Sequence, residues 1–312
     1  MDGPSLTSML ATCASDTPAT AAIYAVQQFS LDELRQRAGA LIATLASNQA
    51  DLQQSGSCRS DHGDSVVDDS TTTIRLAGGA RAVLYYASGA VEYRSGLAPF
   101  DAVFARAEER EALTRLVAAS AAKIDLNAWL GDQGKLAFER LWQQKARGTD
   151  RSGKATDPLL TRVVGAFRHF VGGIPVLGGA SVALRLAQDG AIDALTLRLR
   201  PSAGETIDKA DIIAPELAAR QLSQQLATLL GFGREQVPTD VIAEARLLFG
   251  YLDLGKRKQQ ELLAPAYVAQ ITLQHKFERQ AYILAVPATQ RVYQQLPLTG
   301  EQGLATGVRR CG

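Results

Sequence analysis

The sequence predicts an α+β fold made of repeated units, each a helix followed by antiparallel strands. Three observations carry this. Helical stretches and runs of short alternating strands follow one another about three times, over 30–94, 100–200 and 214–294. The strand runs are joined by tight turns and not by the long crossovers that parallel strands need. The composition is that of a globular chain, with 312 residues of which 46% are hydrophobic and 21% charged. Lys plus Arg number 33 and Asp plus Glu 32. That balance excludes a global field drawing the chain onto nucleic acid or anionic lipid and leaves only local patches. No apolar run approaches the ~20 residues of a membrane helix. Neither a nucleic-acid partner nor a membrane span is therefore expected.

The elements follow in order. Residues 1–21, rich in Ser, Thr, Ala and Pro, read as a poorly ordered start. Within them Leu10-Ala11-Thr12-Cys13 has the residue types of a lipobox, without the basic and long apolar stretches that precede one. Residues 30–48 read as a helix. Ser30 and Glu33 have capping-box spacing, and Leu34, Ala38, Leu41, Ile42 and Leu45 form its apolar stripe. A polar loop spans 49–70. Three short strands over 72–94 turn at Gly78-Gly79 and Ser88-Gly89. The zone 100–147 reads as helical, with one stripe from Val103 to Ile124 and a second made of Leu136, Phe138, Leu141 and Trp142.

Residues 148–157 read as a boundary loop. From 159 to 200 the pattern is the most regular in the chain: a strand over 159–171, a turn bracketed by Gly172-Gly173 and Gly178-Gly179, then alternation through Val182, Leu184 and Leu186. Asp189-Gly190 has the type I′ hairpin signature, and Leu195, Leu197 and Leu199 alternate with Thr196, Arg198 and Arg200. This hairpin has one apolar and one basic face. Pro215 opens a last helix that Gly231 closes, and strands follow at 246–254, 266–274 and 280–287. The chain thus divides into 1–21, an α+β domain 22–150, a hairpin unit 151–212 and a C-terminal α+β unit 213–312.

Phe167-Arg168-His169-Phe170-Val171, then Gly172-Gly173-Ile174-Pro175-Val176-Leu177-Gly178-Gly179, then Val182 to Leu186 and Asp189-Gly190 resemble the core of PepSY and FTP domains. FTP domains occur in propeptides of thermolysin-like and fungalysin metalloproteases. The match covers about 160–200, and 214–294 is similar more loosely. The resemblance implies cystatin-like helix-on-sheet units that act as chaperones or inhibitors of a protease, or as extracytoplasmic binding modules. The chain departs from the propeptide pattern in having no H-E-x-x-H, so any protease it serves would be a separate molecule.

Other chemistries find no frame. After Gly178-Gly179 come Ala180-Ser181, without the lysine a P-loop requires, and no G-x-S-x-G is present. The three cysteines, Cys13, Cys58 and Cys311, form no C-x-x-C; in an oxidising compartment Cys58 and Cys311 could pair, which would leave one cysteine over, and the sequence does not fix the pairing. Asp61, His62, Asp64, Asp68 and Asp69 crowd one loop but lack EF-hand spacing and read as a solvated acidic loop, so no metal site is assigned. No cofactor is expected. Asp193 and Glu205 flank the hairpin strand as possible acid/base groups.

Arg162, Arg168, Arg185, Arg198 and Arg200 share strand faces, either as a wet outer face or as a contact for an anionic ligand or an acidic partner edge. His169 sits between Arg168 and Phe170. The binding candidates are Arg168, His169, Arg198, Arg200, Tyr85 and Tyr86. The functional expectation is a protein-binding or protease-inhibitor module acting outside the cytoplasm through exposed strand edges. The alternative is an enzyme or carrier that encloses a small molecule within curved sheets.

Overall fold

The computed structural model describes residues 5–12, 17–53, 65–67, 70–105, 109–149, 151, 153–179, 181–232, 237–275 and 278–296. The helices are α1 (Leu6–Thr12), α2 (Leu31–Gln53), α3 (Arg110–Ala122) and α4 (Pro215–Leu229). The strands are β1 (Thr20–Val26), β2 (Ser65–Val67), β3 (Thr71–Arg75), β4 (Arg81–Tyr85), β5 (Ala90–Arg94), β6 (Gly134–Ala146), β7 (Leu159–Val171) and β8 (Ile174–Leu177). They continue with β9 (Val182–Leu186), β10 (Ile192–Leu197), β11 (Ser202–Asp211), β12 (Ile242–Leu252), β13 (Leu262–Leu263), β14 (Pro265–His275) and β15 (Glu278–Pro287). The fold is α+β.

Twelve strands join in one sheet, in the order β15, β14, β12, β8, β7, β9, β10, β5, β4, β3, β2, with β6 paired along the other edge of β7. Every neighbour is antiparallel except β8 and β12, which meet through Tyr251 opposite Val176 and Leu252 opposite Leu177. A smaller sheet places β1 between β11 and β13. Strands from all three expected helix-plus-strand stretches therefore share one large sheet, and the β5–β10 and β6–β7 pairings cross the expected boundary at 150.

Local signals explain most elements. Ser30 and Glu33 close the capping box: the Ser30 N–H donates to Glu33 Oε2 at 2.7 Å and the Glu33 N–H donates to Ser30 Oγ at 3.3 Å. Leu34, Ala38, Leu41, Ile42 and Leu45 are all buried. Asp189 and Gly190 take φ of 60° and 77°, the left-handed pair that a type I′ turn requires. With α2 and α3, the inner face of the large sheet encloses a core containing Leu84, Tyr93, Val163, Leu184 and Leu195. A second core packs α1 and α4 on β12, β14 and β15.

Several segments differ from the sequence reading. Within 1–21, Leu6–Thr12 form a helix whose Leu6 and Leu10, four residues apart, are buried with Leu222 and Leu226 of α4. Residues 134–146, expected as helix, form β6; a bulge between Phe138 and Arg140 shifts the strand's alternation by one. Residues 20–26 and 202–211 pair with each other as β1 and β11, although neither shows a strand pattern in sequence.

Candidate binding face

Alternation along the strands of the large sheet sends one set of side chains into the core and the other onto the opposite, outer face. Ile74 packs inward, as do Ala82, Tyr93 and Leu184, so Arg75, Arg81, Arg94 and Arg185 point outward. The register then aligns them. Arg75 is opposite Arg81, and Arg81 is opposite Arg94. Arg94 is opposite Ala194, which is opposite Arg185 on β9. Arg185 is opposite Val164, and Val164 is opposite Trp142 on β6. One cross-strand row thus runs over seven strands, about 29 Å at ~4.8 Å per strand. Arg75, Arg81 and Arg94 are exposed, and none makes an ion pair with a described carboxylate. Arg185 has Nε 2.7 Å from Asp193 Oδ2, but shares that carboxylate with Arg162.

Beside the row lies a mixed cluster. Glu92 accepts from Lys256 Nζ at 2.6 Å and from Arg198 Nη2 at 3.1 Å. Tyr85 donates to Glu92 Oε2 at 3.2 Å and accepts from Lys256, whose Nζ also lies 4.4 Å from the Tyr85 ring centroid. Burial pushes the Glu92 carboxyl up, but the hydrogen bonds and charges of Lys256 and Arg198 outweigh it and hold the group below its ordinary value. Burial pulls the Lys256 ammonium down, and Glu92 and Tyr85 more than reverse this. Two cations around one carboxylate leave the cluster net positive.

The sequence-derived candidates separate into two groups. Tyr85 and Arg198 meet in this cluster. Arg200 is buried beneath it, donating to Asp253 at 3.0 Å and to the carbonyls of Ala87, Gly255 and Lys258, so it fastens the 253–258 loop to the β4–β5 turn. Arg168 bridges Glu139 and the Val176 carbonyl. His169 points to the other face and is 1% exposed; its N–H donates to Ser181 Oγ, and its Nε2 has no hydrogen-bond partner. Burial pushes the imidazole down to about 4, and the Asp253 charge offsets only part of this. The Tyr86 hydroxyl meets Thr72 Oγ1.

Arg75, Arg81, Arg94, Glu92 and Lys256 were not singled out as site residues from sequence. The arginine row has a sequence signal all the same: reflecting Arg75 through Gly78 lands on Arg81, and reflecting Arg81 through the 87–88 turn lands on Arg94. Cys13, Cys58, Cys311 and the loop with Asp61, His62, Asp64, Asp68 and Asp69 lie outside the described residues. Among the described residues no three His, Cys, Asp or Glu side chains group to hold a metal, and no helix is long and apolar enough to cross a membrane.

The row ends at β6, whose outer edge pairs with no described strand. This edge strand has 13 residues and exposes Phe138 and Trp142, 41% and 44% accessible. It carries Lys135, Arg140 and Lys145 against Glu139 alone. Two hollows are also present. One of about 30 Å³ beside Phe29, Trp129 and Arg200 has room for about one water. The other, about 550 Å³ and open on one side, is lined by Phe104, Ala105, Ala112, Leu113, Leu116, Gln188 and Asp189. No protein-family model matches the chain, and no curated protein matches it either.

Proposed function

We propose that this chain is a protein-binding module acting outside the cytoplasm, inhibitor-like or chaperone-like, which takes up an acidic segment of a partner by strand addition at β6. The observation that carries the reading is the free β6 edge with its exposed Phe138 and Trp142. An unpaired strand edge is a template for another strand, and its basic residues oppose pairing with a second copy while favouring an acidic strand. The finer architecture belongs to the same proposal. In it, 159–200 and 214–287 are PepSY-like, cystatin-like units; α4 lying on the antiparallel β12, β14 and β15 supports this for the second.

The rival is a small-molecule carrier, favoured by the 550 Å³ hollow beside α3. Among the described residues its lining offers only Gln188 and Asp189 as polar side chains, which is sparse for orienting a substrate. Native mass spectrometry of the protein from its own source, with matched denatured spectra, separates the two. The expected result is a protein complex in which amide exchange along β6 slows and a photo-crosslinker at position 142 reaches the partner. A small molecule released on denaturation, with β6 exchange unchanged, would overturn the proposal.

A further inference from the structure

We propose that the outer-face row is the second half of the binding site and receives the continuation of the partner's chain: an extended acidic segment that crosses the strands from an apolar residue seated on Trp142 and Val164 to carboxylates on Arg185, Arg94, Arg81 and Arg75. This rests on the reading that a protein partner docks at β6.

Three observations support it. The row is continuous with the free edge, because Trp142 belongs to both. Like charges directly opposite one another on adjacent strands destabilise a sheet, and here Arg75, Arg81 and Arg94 stand so on three successive strands without a described counter-charge. An acidic ligand relieves that repulsion. The steps also suit a peptide. From Trp142, Arg185 is two strands away, Arg94 four and Arg75 six, or about 10, 19 and 29 Å. An extended chain at ~3.3 Å per residue reaches them in about three, six and nine residues.

The shape narrows the ligand class. At the usual twist of roughly 20–25° between neighbouring strands, the six steps of the row would turn through more than about 100°. A planar anionic membrane would touch only part of it, and a straight helix would leave it at both ends; a flexible chain follows it. Nucleic acid is disfavoured because no aromatic side chains interleave the arginines to stack bases.

The test uses the full chain and three fluorescent peptides of about ten residues, the length that spans the row. The first has Phe-Leu at one end followed by Glu and Ser, the second has the same composition with Phe-Leu in the middle, and the third has Glu and Ser alone. Heparin fragments are run alongside. The expected result is anisotropy showing salt-dependent binding that is tightest for the first peptide, weakens about tenfold in R81E/R94E, and weakens severalfold in W142A. Arg81, Arg94 and Trp142 are exposed, so both variants should keep the fold, and circular dichroism checks this. Binding lost in W142A but unchanged in R81E/R94E would overturn the row's role while leaving the β6 reading intact. Equal binding of all three peptides, indifferent to W142A, would overturn the continuity of the two halves. Heparin binding without peptide binding would make the row a polysaccharide site and overturn the inference, and no binding by any probe would overturn it as well.

Discussion

Arg162 donates through Nε to Asp193 Oδ2 at 2.7 Å, and both side chains are almost wholly shielded from solvent. The rest of the guanidinium is held by the carbonyls of Ala98, Asp101 and Thr161, while Ser95 Oγ donates to the other Asp193 oxygen. The pair therefore ties the 95–101 segment to the middle of the sheet. Asp193→Ala would strand a buried cation and should cost about 3–5 kcal/mol. Arg185→Ala, which removes a side chain 30% accessible whose buried Nε lies near the same carboxylate without an aligned hydrogen bond, should cost under about 1 kcal/mol. Urea titration of the two variants checks the contrast, and equal losses would contradict it.

Arg81 has an arginine directly opposite on each side. Arg81→Glu replaces two repulsions with two attractions, so it should stabilise the free protein by about 0.2–1 kcal/mol. The gain should appear as a raised Tm at low ionic strength and shrink in high salt, where surface charges are screened. A lowered Tm in both conditions would show that the row is not a source of strain.

His169 sets an acid limit. Its folded-state pKa of about 4 lies below the ordinary 6.5, because burial disfavours the imidazolium. The unfolded chain takes up the proton first as pH falls. This contribution is thus fully present above about pH 6.5 and lost progressively toward pH 4, amounting to about 3 kcal/mol in all. His169→Gln should flatten the slope of stability against pH between 6.5 and 4.5. Parallel slopes for the two proteins would refute this.

Gly165 marks where α3 presses closest to the sheet. A Cβ on Gly165 would sit 2.2 Å from Val117 Cγ1. Gly165→Ala should therefore cost roughly 1–3 kcal/mol through overpacking. Combining it with Val117→Ala should restore part of the loss, and the double-mutant cycle should show a coupling of about 1 kcal/mol or more. Strict additivity would mean that the helix shifts freely.

Elements whose causes lie within a few residues were legible in sequence: α2 through its capping box, the 72–94 strands through their glycine turns, and the 182–199 hairpin through Asp189-Gly190. β6 was misread for a physical reason. Its bulge brings Phe138 and Leu141, three residues apart, onto one face, and with Trp142 next in sequence the i, i+3, i+4 spacing imitates a helical stripe. β11 and β1 owe their state to each other, across about 180 residues, and no local pattern marks them. The candidate site divides the same way. The apolar face of the hairpin, with Leu195, Leu197 and Leu199, could be read from alternation alone, whereas Arg200, which alternation puts on a basic face, is buried. Glu92 and Lys256 meet only in three dimensions, and the arginine row is a property of register between strands, not of any one strand.

The placement of β1 sets a timetable for folding. Its partners, β11 and β13, lie about 180 and 240 residues further along the chain. At roughly 5–20 residues per second of synthesis, β1 waits on the order of ten seconds or more for its first neighbour. α1 waits likewise for α4. Both elements thus leave the ribosome well before the strands and helix that cover them, and during that interval their apolar side chains are open to a chaperone.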